Sequence, residues 1–593
     1  MTLVFVRLGD DFKSGLCILS YPFENLDRVS QITNPLGTFT QTYEGDTGIL
    51  NEVQYPLAGM KTTYQRLPAA QDRLLTAIIH TKPTSQGGGE LARYDYLYNA
   101  QHQIATWRQM QPGMAAKEWA IAYDTRQQVT AVVETPVAGP PQNPQQVWRY
   151  QYDASGNRTA AQEGSRTRTA TYNELNQLVS QSAGGSTWFR GKVNEPANVT
   201  IAGQNARVSA DGTFESLTPV GAGQQDVVMQ ATDKAGNTTS QTWRVDNGPA
   251  GTITTTHDTE GNLLNDGRYT YTWDAKNRMT SVTLGADTWS FQYDGLNRRF
   301  LEAQPNMEKI WVWQDTKPLM MKQSDGVTLR FWHGGYEIDD PQLVTPRKML
   351  HVHDHLESVR VVINEASGQI ESSWGYGPTG KRTAFVTGHE ELFGYCSHEQ
   401  HPSGLSLALF RTLNPNSGCW VSRDPFMEDV SLNLYSLASG NPVNQADPLG
   451  LETYEQFQAR CQARAKASCA SKGRNLKTWG TVRLGAGSGY RGDTLFVWSS
   501  FACTYECGSC SPEEQQRRQA LKNAACAKEH SCSCGMGRVK LLEYTRNAYA
   551  CYEARLNVMH CFDGGDSAHR SQADAAFRAF QNCAYLLSSS SRP

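Results

Sequence analysis

The chain reads as mainly β: a shell of repeated hairpins with an inserted β-sandwich, followed by a small, mainly α, cysteine-rich C-terminal domain. Three observations predict this. An aromatic residue followed by Asp, Asn or Glu recurs along the first 300 residues. Glycine (51 residues), Tyr (25) and Trp (14) are abundant while charged residues are 19%, the balance of a turn-rich, aromatic-stapled β protein rather than a helical or disordered one. Cysteine is unevenly distributed: Cys17, Cys396 and Cys419 precede residue 452, and eleven follow it.

The repeat is Phe23-Glu24, Tyr43-Glu44, Tyr98-Asn99, Tyr123-Asp124, Tyr152-Asp153, Tyr172-Asn173, Trp273-Asp274 and Tyr293-Asp294, with several steps of 20 residues. In Val147-Trp148-Arg149-Tyr150-Gln151-Tyr152 every second side chain falls on one face of a strand. The Asp that follows, with Gly, Asn or Lys behind it, makes the turn that reverses the chain. One hairpin cannot bury its aromatic face, so the units must pair side by side into a long sheet. Over most of 15–185 and 255–330 these units resemble the YD repeats of the RHS family. That resemblance implies a sheet that spirals into a hollow shell around a C-terminal segment.

Residues 186–248 break the period. Val199, Ile201 and Val208, then Val227, Val228 and Met229, are separated by the turns Ala210-Asp211-Gly212 and Asp233-Lys234-Ala235-Gly236-Asn237. This is a compact β-sandwich pattern, similar to Ig-like modules of bacterial envelope proteins. The expected organisation is repeat shell at 1–185, inserted sandwich at 186–250, repeat shell at 251–349, a core at 350–451 and a variable domain at 452–593.

The core begins at His353-Asp354-His355-Leu356-Glu357-Ser358-Val359-Arg360. It continues through Trp374-Gly375-Tyr376-Gly377-Pro378, Phe393-Gly394-Tyr395 and Ser403-Gly404-Leu405, and an Arg411 leads into Gly418-Cys419-Trp420-Val421-Ser422-Arg423-Asp424-Pro425. It closes on Leu432-Asn433-Leu434-Tyr435, Asn441-Pro442-Val443 and Asp447-Pro448-Leu449-Gly450-Leu451. Alternate His351, His353 and His355 share a strand face, which invites a metal reading, but the RHS resemblance implies strand and turn for the segment instead. The two Asp-Pro steps lie 23 residues apart, enough for the chain to fold back and bring both carboxylates together. Such a pair can share a proton, one member activating water while the other protonates an amide. The block resembles the RHS-associated core domain. The resemblance implies an aspartyl autopeptidase with Asp424 and Asp447 as the catalytic pair, Arg423 orienting or polarising, and cleavage after Leu451. The usual DPxGL of the first motif reads Asp424-Pro425-Phe426-Met427-Glu428 here, which changes the local turn and leaves the aspartate.

In the last domain, helices are expected at 453–472, 512–530, 540–560 and 568–587, with a strand-like piece from Trp479 to Ser500. Cys503, Cys507 and Cys510 have the CxxxCxxC spacing of radical enzymes that bind an iron–sulfur cluster, yet fewer than 90 residues follow, too few for the barrel those enzymes need. With Cys526, Cys532 and Cys534 they could instead form a structural zinc site or a set of disulfides, and no other cofactor is indicated. The segment from Cys561 to His569 resembles the ends of cysteine-rich toxin domains attached to RHS proteins. There Asp566 can cap a helix whose first turn carries His569, and the pair suits phosphodiester cleavage by a general acid–base histidine.

Charge separates the same two parts. Residues 452–593 hold 19 Lys and Arg against 12 Asp and Glu, a net of +7, and residues 1–451 hold 36 against 46, a net of −10. A basic domain favours an acidic partner, its own shell first and nucleic acid once free. No run of about 18 apolar residues predicts a membrane span. The opening MTLVFVRLGDDFKSGLCILSY does not read as a secretory leader, so export by another route, or a longer parent chain, is expected. The repeats read as too few to close a cavity by themselves. Together these features point to a secreted or envelope-associated interbacterial effector, with a secretion machine and an immunity protein as partners and its C-terminal domain delivered to a target cell. An adhesion protein with a non-catalytic, disulfide-stapled tail is the alternative.

Overall fold

The computed structural model describes residues 28–137, 146–425 and 433–451 continuously, with Val4–Val6, Cys17–Leu19 and, beyond residue 451, the strands Arg474–Arg483, Val497–Trp498 and Phe501–Cys510, the helix Pro512–Cys526 and isolated helical residues as far as Arg578. The chain divides into two compact units, Met1–Thr453 and Tyr454–Pro593.

The first unit is dominated by two antiparallel sheets of fourteen strands each. In one, strands follow chain order from Gln31–Asn34 to Leu178–Ala183, with Thr252–Thr254 added at the end; the other runs in chain order from Thr256–His257 to Arg382–Thr387. The aromatic–acid unit explains this regularity. At each repeat the pairing shifts register at the aromatic residue, as between Gln151 and Tyr152. Asp153 Oδ1 then accepts the backbone N–H groups of Ser155 and Asn157, each at 2.9 Å, and Gly156 takes a left-handed φ of 80°. The same arrangement recurs at Asp124, Asp274 and Asp294, where Gln127, Asn277 and Asn297 take the left-handed position. The aromatic residue ties the turn to an earlier strand. Tyr123 OH donates to Ile104 O at 2.7 Å, Tyr152 OH to Val129 O at 3.0 Å and Tyr293 OH to Met279 O at 2.8 Å. Tyr152→Phe removes one such bond and strands a carbonyl, with an expected loss of about 1 kcal/mol read from the denaturation midpoint.

The two sheets are stitched together by polar contacts over one hydrophobic core. Tyr55 OH donates to His351 O at 3.1 Å, and Gln111 Nε2 donates to Ser373 Oγ and Trp374 O, each at 2.9 Å. His80 Nε2 bonds His353 O at 3.0 Å; burial pushes this imidazole down to about 3, so it is neutral at pH 7 and the nitrogen facing the carbonyl is the donor. The core unites Tyr94, Tyr96, Trp107 and Trp119 of the first sheet with Leu350, Val352, Val361 and Ile363 of the second, and Val443 joins them from further along the chain.

The period-breaking stretch folds as expected into two small sheets, one of three strands and one of four, around Phe189, Val199, Ile201, Phe214, Val220, Val227 and Val245. Val228, one of the residues that suggested the pattern, points outward instead. Entry and exit of this module lie side by side: Ser182, just before it, pairs directly with Thr252, just after it.

In the second unit, Phe501–Cys510 is the middle strand of a three-stranded antiparallel sheet, flanked by Arg474–Arg483 and Val497–Trp498. The helix Pro512–Cys526 follows, and Cys526 is joined to Cys551 by a disulfide. The described part is therefore mixed α and β. The strand-like piece expected from Trp479 to Ser500 covers this sheet only in part, because Cys503, Cys507 and Cys510, read as zinc ligands or disulfide partners, lie on its middle strand.

Candidate active site

The segment from residue 391 to Leu451 packs on both large sheets. A four-stranded sheet (Glu399–Gln400, Ser406–Leu407, Thr412–Asn414, Cys419–Trp420) forms its frame. Tyr269 OH holds Ser403 O at 2.8 Å, Tyr435 OH holds Gly261 O at 2.8 Å, and Asn444 Oδ1 accepts from Ile104 N at 2.8 Å. The stretch that carries the second Asp-Pro step is thus fastened to repeat turns far away in sequence.

Asp424 and Asp447 meet within that frame. Arg411 Nη2 lies 2.8 Å from Asp424 Oδ2 and 3.0 Å from Asp447 Oδ2, so one guanidinium nitrogen holds both carboxylates. All three residues are at most 5% exposed. The same arginine reaches the backbone at the end of the motif: its Nε donates to Gly450 O at 2.5 Å and its Nη2 to Leu451 O at 3.3 Å. Asp447 Oδ1 accepts Leu451 N at 2.8 Å, closing a turn that brings the Leu451 carbonyl back to the pair. The guanidinium stacks on Trp420, 4.4 Å from the ring centre, and that residue is anchored by its backbone N–H, which donates to Tyr435 O at 3.0 Å. Two buried carboxylates need a buried cation. Here the cation is shared with the carbonyl whose bond the motif is expected to break.

Arg423, to which sequence reasoning gave the orienting role, lies alongside Gly261 and Tyr435. Arg411 holds the position on both carboxylates. Its signal was available: between residues 391 and 451 the sequence has two arginines, and one of them adjoins the first aspartate in sequence. His398 was missed as well. Its Nε2 bonds the backbone carbonyl of Asp447 at 2.8 Å.

The other candidates are dispersed. His351 faces Glu391 at 3.4 Å, His353 accepts His80 through its carbonyl, and His355 bonds Val443 O at 2.8 Å. Among the described residues no group of His, Cys, Asp and Glu could hold a metal ion. Cys503, Cys507 and Cys510 lie along one strand, opposite Thr481, Leu476 and Arg474. An extended strand spaces positions four residues apart by about 13 Å, which argues against one ion bridging 503 and 507. Cys526, being in a disulfide, has no thiolate to offer. Cys532, Cys534, Asp566 and His569 lie outside the described residues.

Comparison with known proteins gives matches in several parts of the chain. Residues 505–586 match the family described as "Novel toxin 16", and residues 189–247 match "Glucodextranase, domain B". Over 259 residues the chain is 24% identical to the tRNA3(Ser)-specific nuclease WapA of Bacillus spizizenii, covering 40% of this chain and 11% of that protein. It is 22% identical over 256 residues to the tRNA nuclease WapA of Bacillus subtilis, with the same coverage of 40% and 11%. Toxin subunit YenC1 of Yersinia entomophaga matches at 27% over 121 residues, 20% of this chain and 12% of that one. The chain thus spans about a tenth of the length of these curated relatives. Among solved structures, that of TcdB2-TccC3-Cdc42 matches at 14% identity and a TM-score of 0.30, covering 75% of this chain and 27% of that one. The chain is similar to toxins of the RHS type and is mainly β.

Proposed function

We propose that this chain is a toxin fragment of the RHS type that cuts its own backbone after Leu451 and so frees a basic C-terminal domain directed at nucleic acid. The observation that carries the first half is the single Arg411 nitrogen bonded to Asp424, Asp447 and the Leu451 carbonyl. In the proposed reaction, Arg411 polarises that carbonyl. One carboxylate takes a proton from water as the water oxygen bonds to the Leu451 carbon. The other delivers a proton to the nitrogen of residue 452 as the C–N bond breaks, leaving a Leu451 carboxylate and a free amine.

The second half is supported by the toxin-family match at 505–586, the net charge of +7 and the likeness to proteins named as tRNA nucleases. In this proposal a secretion machine exports the domain, an immunity protein protects the producer, and His569 with Asp566 performs the cleavage of nucleic acid. Production of residues 452–593 in bacteria tests it. Growth arrest with loss of intact RNA, relieved by His569→Ala, is the expected result; harmless expression of soluble domain with RNA intact would refute it.

A further inference from the structure

The turn Tyr395–Ser397 is built at a cost. Cys396 and Ser397, neither of them glycine, both hold left-handed backbone, with φ of 50° and 59°. Such backbone is strained in residues other than glycine and persists only where the surroundings impose it. The surroundings do: Ser358 Oγ accepts Cys396 N at 3.1 Å, and Ser397 Oγ donates to Glu357 O at 2.8 Å.

What this turn delivers is a set of contacts to the segment bearing the second aspartate. Tyr395 OH donates to Pro442 O at 3.1 Å, and His398 Nε2 reaches Asp447 O at 2.8 Å. His398 is 1% exposed, its ring packed near Tyr395 and Trp420. Burial holds the imidazole below its usual range, so it is neutral at pH 7 and Nε2–H is the donor to the carbonyl. Nδ1 then carries the lone pair, which has no hydrogen-bond partner among the described residues. A buried polar atom left unmatched costs free energy, and the Nε2 bond is what the ring gains in return.

We propose that His398 is a positioning residue for self-cleavage: held by the strained turn, its Nε2–H pins the Asp447 carbonyl and so sets the Asp447 carboxylate against Arg411 and Leu451 N. This rests on the cleavage reading above. It touches no reacting atom, and its effect is on geometry, where an error near 1 Å costs about a hundredfold in rate.

The test uses the full chain, synthesised in a cell-free system, with cleavage followed over time on a gel. His398→Gln keeps an N–H donor of similar reach, whereas His398→Met has comparable bulk and no donor. Tryptophan emission reports folding of each. Expected are cleavage by His398→Gln within about fivefold of the natural chain and a fall of about a hundredfold for His398→Met. Equal rates in both variants, fast or slow, with native emission, overturn the role of the donor while leaving the cleavage reading intact. If the methionine variant does not fold, His398→Gln decides alone: folded and cleaving supports the proposal, folded and inert refutes it. A natural chain that never cleaves removes the cleavage reading and this proposal together.

Discussion

Asp447→Asn is expected to leave a single 65.8 kDa species on a denaturing gel, where the proposed cleavage would separate the natural chain into pieces of about 49 and 16 kDa at about 110 Da per residue. The amide has the size of the carboxylate, and its oxygen can still accept the Leu451 N–H now bonded to Oδ1. The local turn therefore survives while the group that moves a proton is gone. Removing one member of an acid–base pair costs about 10²- to 10⁴-fold, so on a preparative time scale cleavage disappears. Asp424→Asn behaves likewise, because the two carboxylates share one arginine nitrogen and neither substitutes for the other. A variant that still yields both pieces, with the new N-terminus at residue 452, would rule the pair out.

Arg360→Met has the largest expected effect on stability. Arg360 Nε donates to Asp354 Oδ2 at 2.6 Å, both side chains are at most 1% exposed, and the guanidinium lies over Tyr94, Trp107 and Tyr376 at 5.1–5.6 Å. Asp354 also caps a turn, accepting Leu356 N and Ser358 N. Taking away the cation strands a buried carboxylate, at a cost of about 3–5 kcal/mol. The pH dependence should also change sign. In the natural chain burial raises the Asp354 carboxyl, but Arg360 and the hydrogen bonds outweigh it and hold it below its ordinary 3.8. Its contribution is then complete above the ordinary carboxylate range and is lost as pH falls through the depressed value. Without Arg360 the burial term dominates and the folded value rises, so the variant gains stability on going from pH 8 toward 5. Denaturation midpoints across that range would show it, and a midpoint insensitive to pH in the variant would contradict it.

What could be read from the sequence was local. A Tyr–Asp step contains its own strand end, turn cap and tie to a neighbouring strand, so residues 90–180 and 255–315 announce their hairpins without help from distant parts. The two Asp-Pro steps stand out through the resemblance to the RHS-associated core, not through a local signal of their own. Arg411 does not stand out in sequence, because its role exists only once the fold brings to it Asp424, 13 positions away, and Asp447, 36 positions away. His398 depends on a turn whose strain is invisible in composition. In the second unit the alternation Phe501, Cys503, Tyr505, Cys507 has a period of two and marked a strand.

The adjacency of Ser182 and Thr252 has an evolutionary consequence. A hairpin of ordinary size could close the same gap, so the great sheet owes none of its register to the module hung from that edge. Such a port can receive, lose or exchange a foreign domain in one genetic step, losing the contacts that Thr187, Trp188 and Asn247 make to Gln162 and Thr167 of the host sheet. Variation among relatives should concentrate at that seam, while the pairing on either side of it stays fixed.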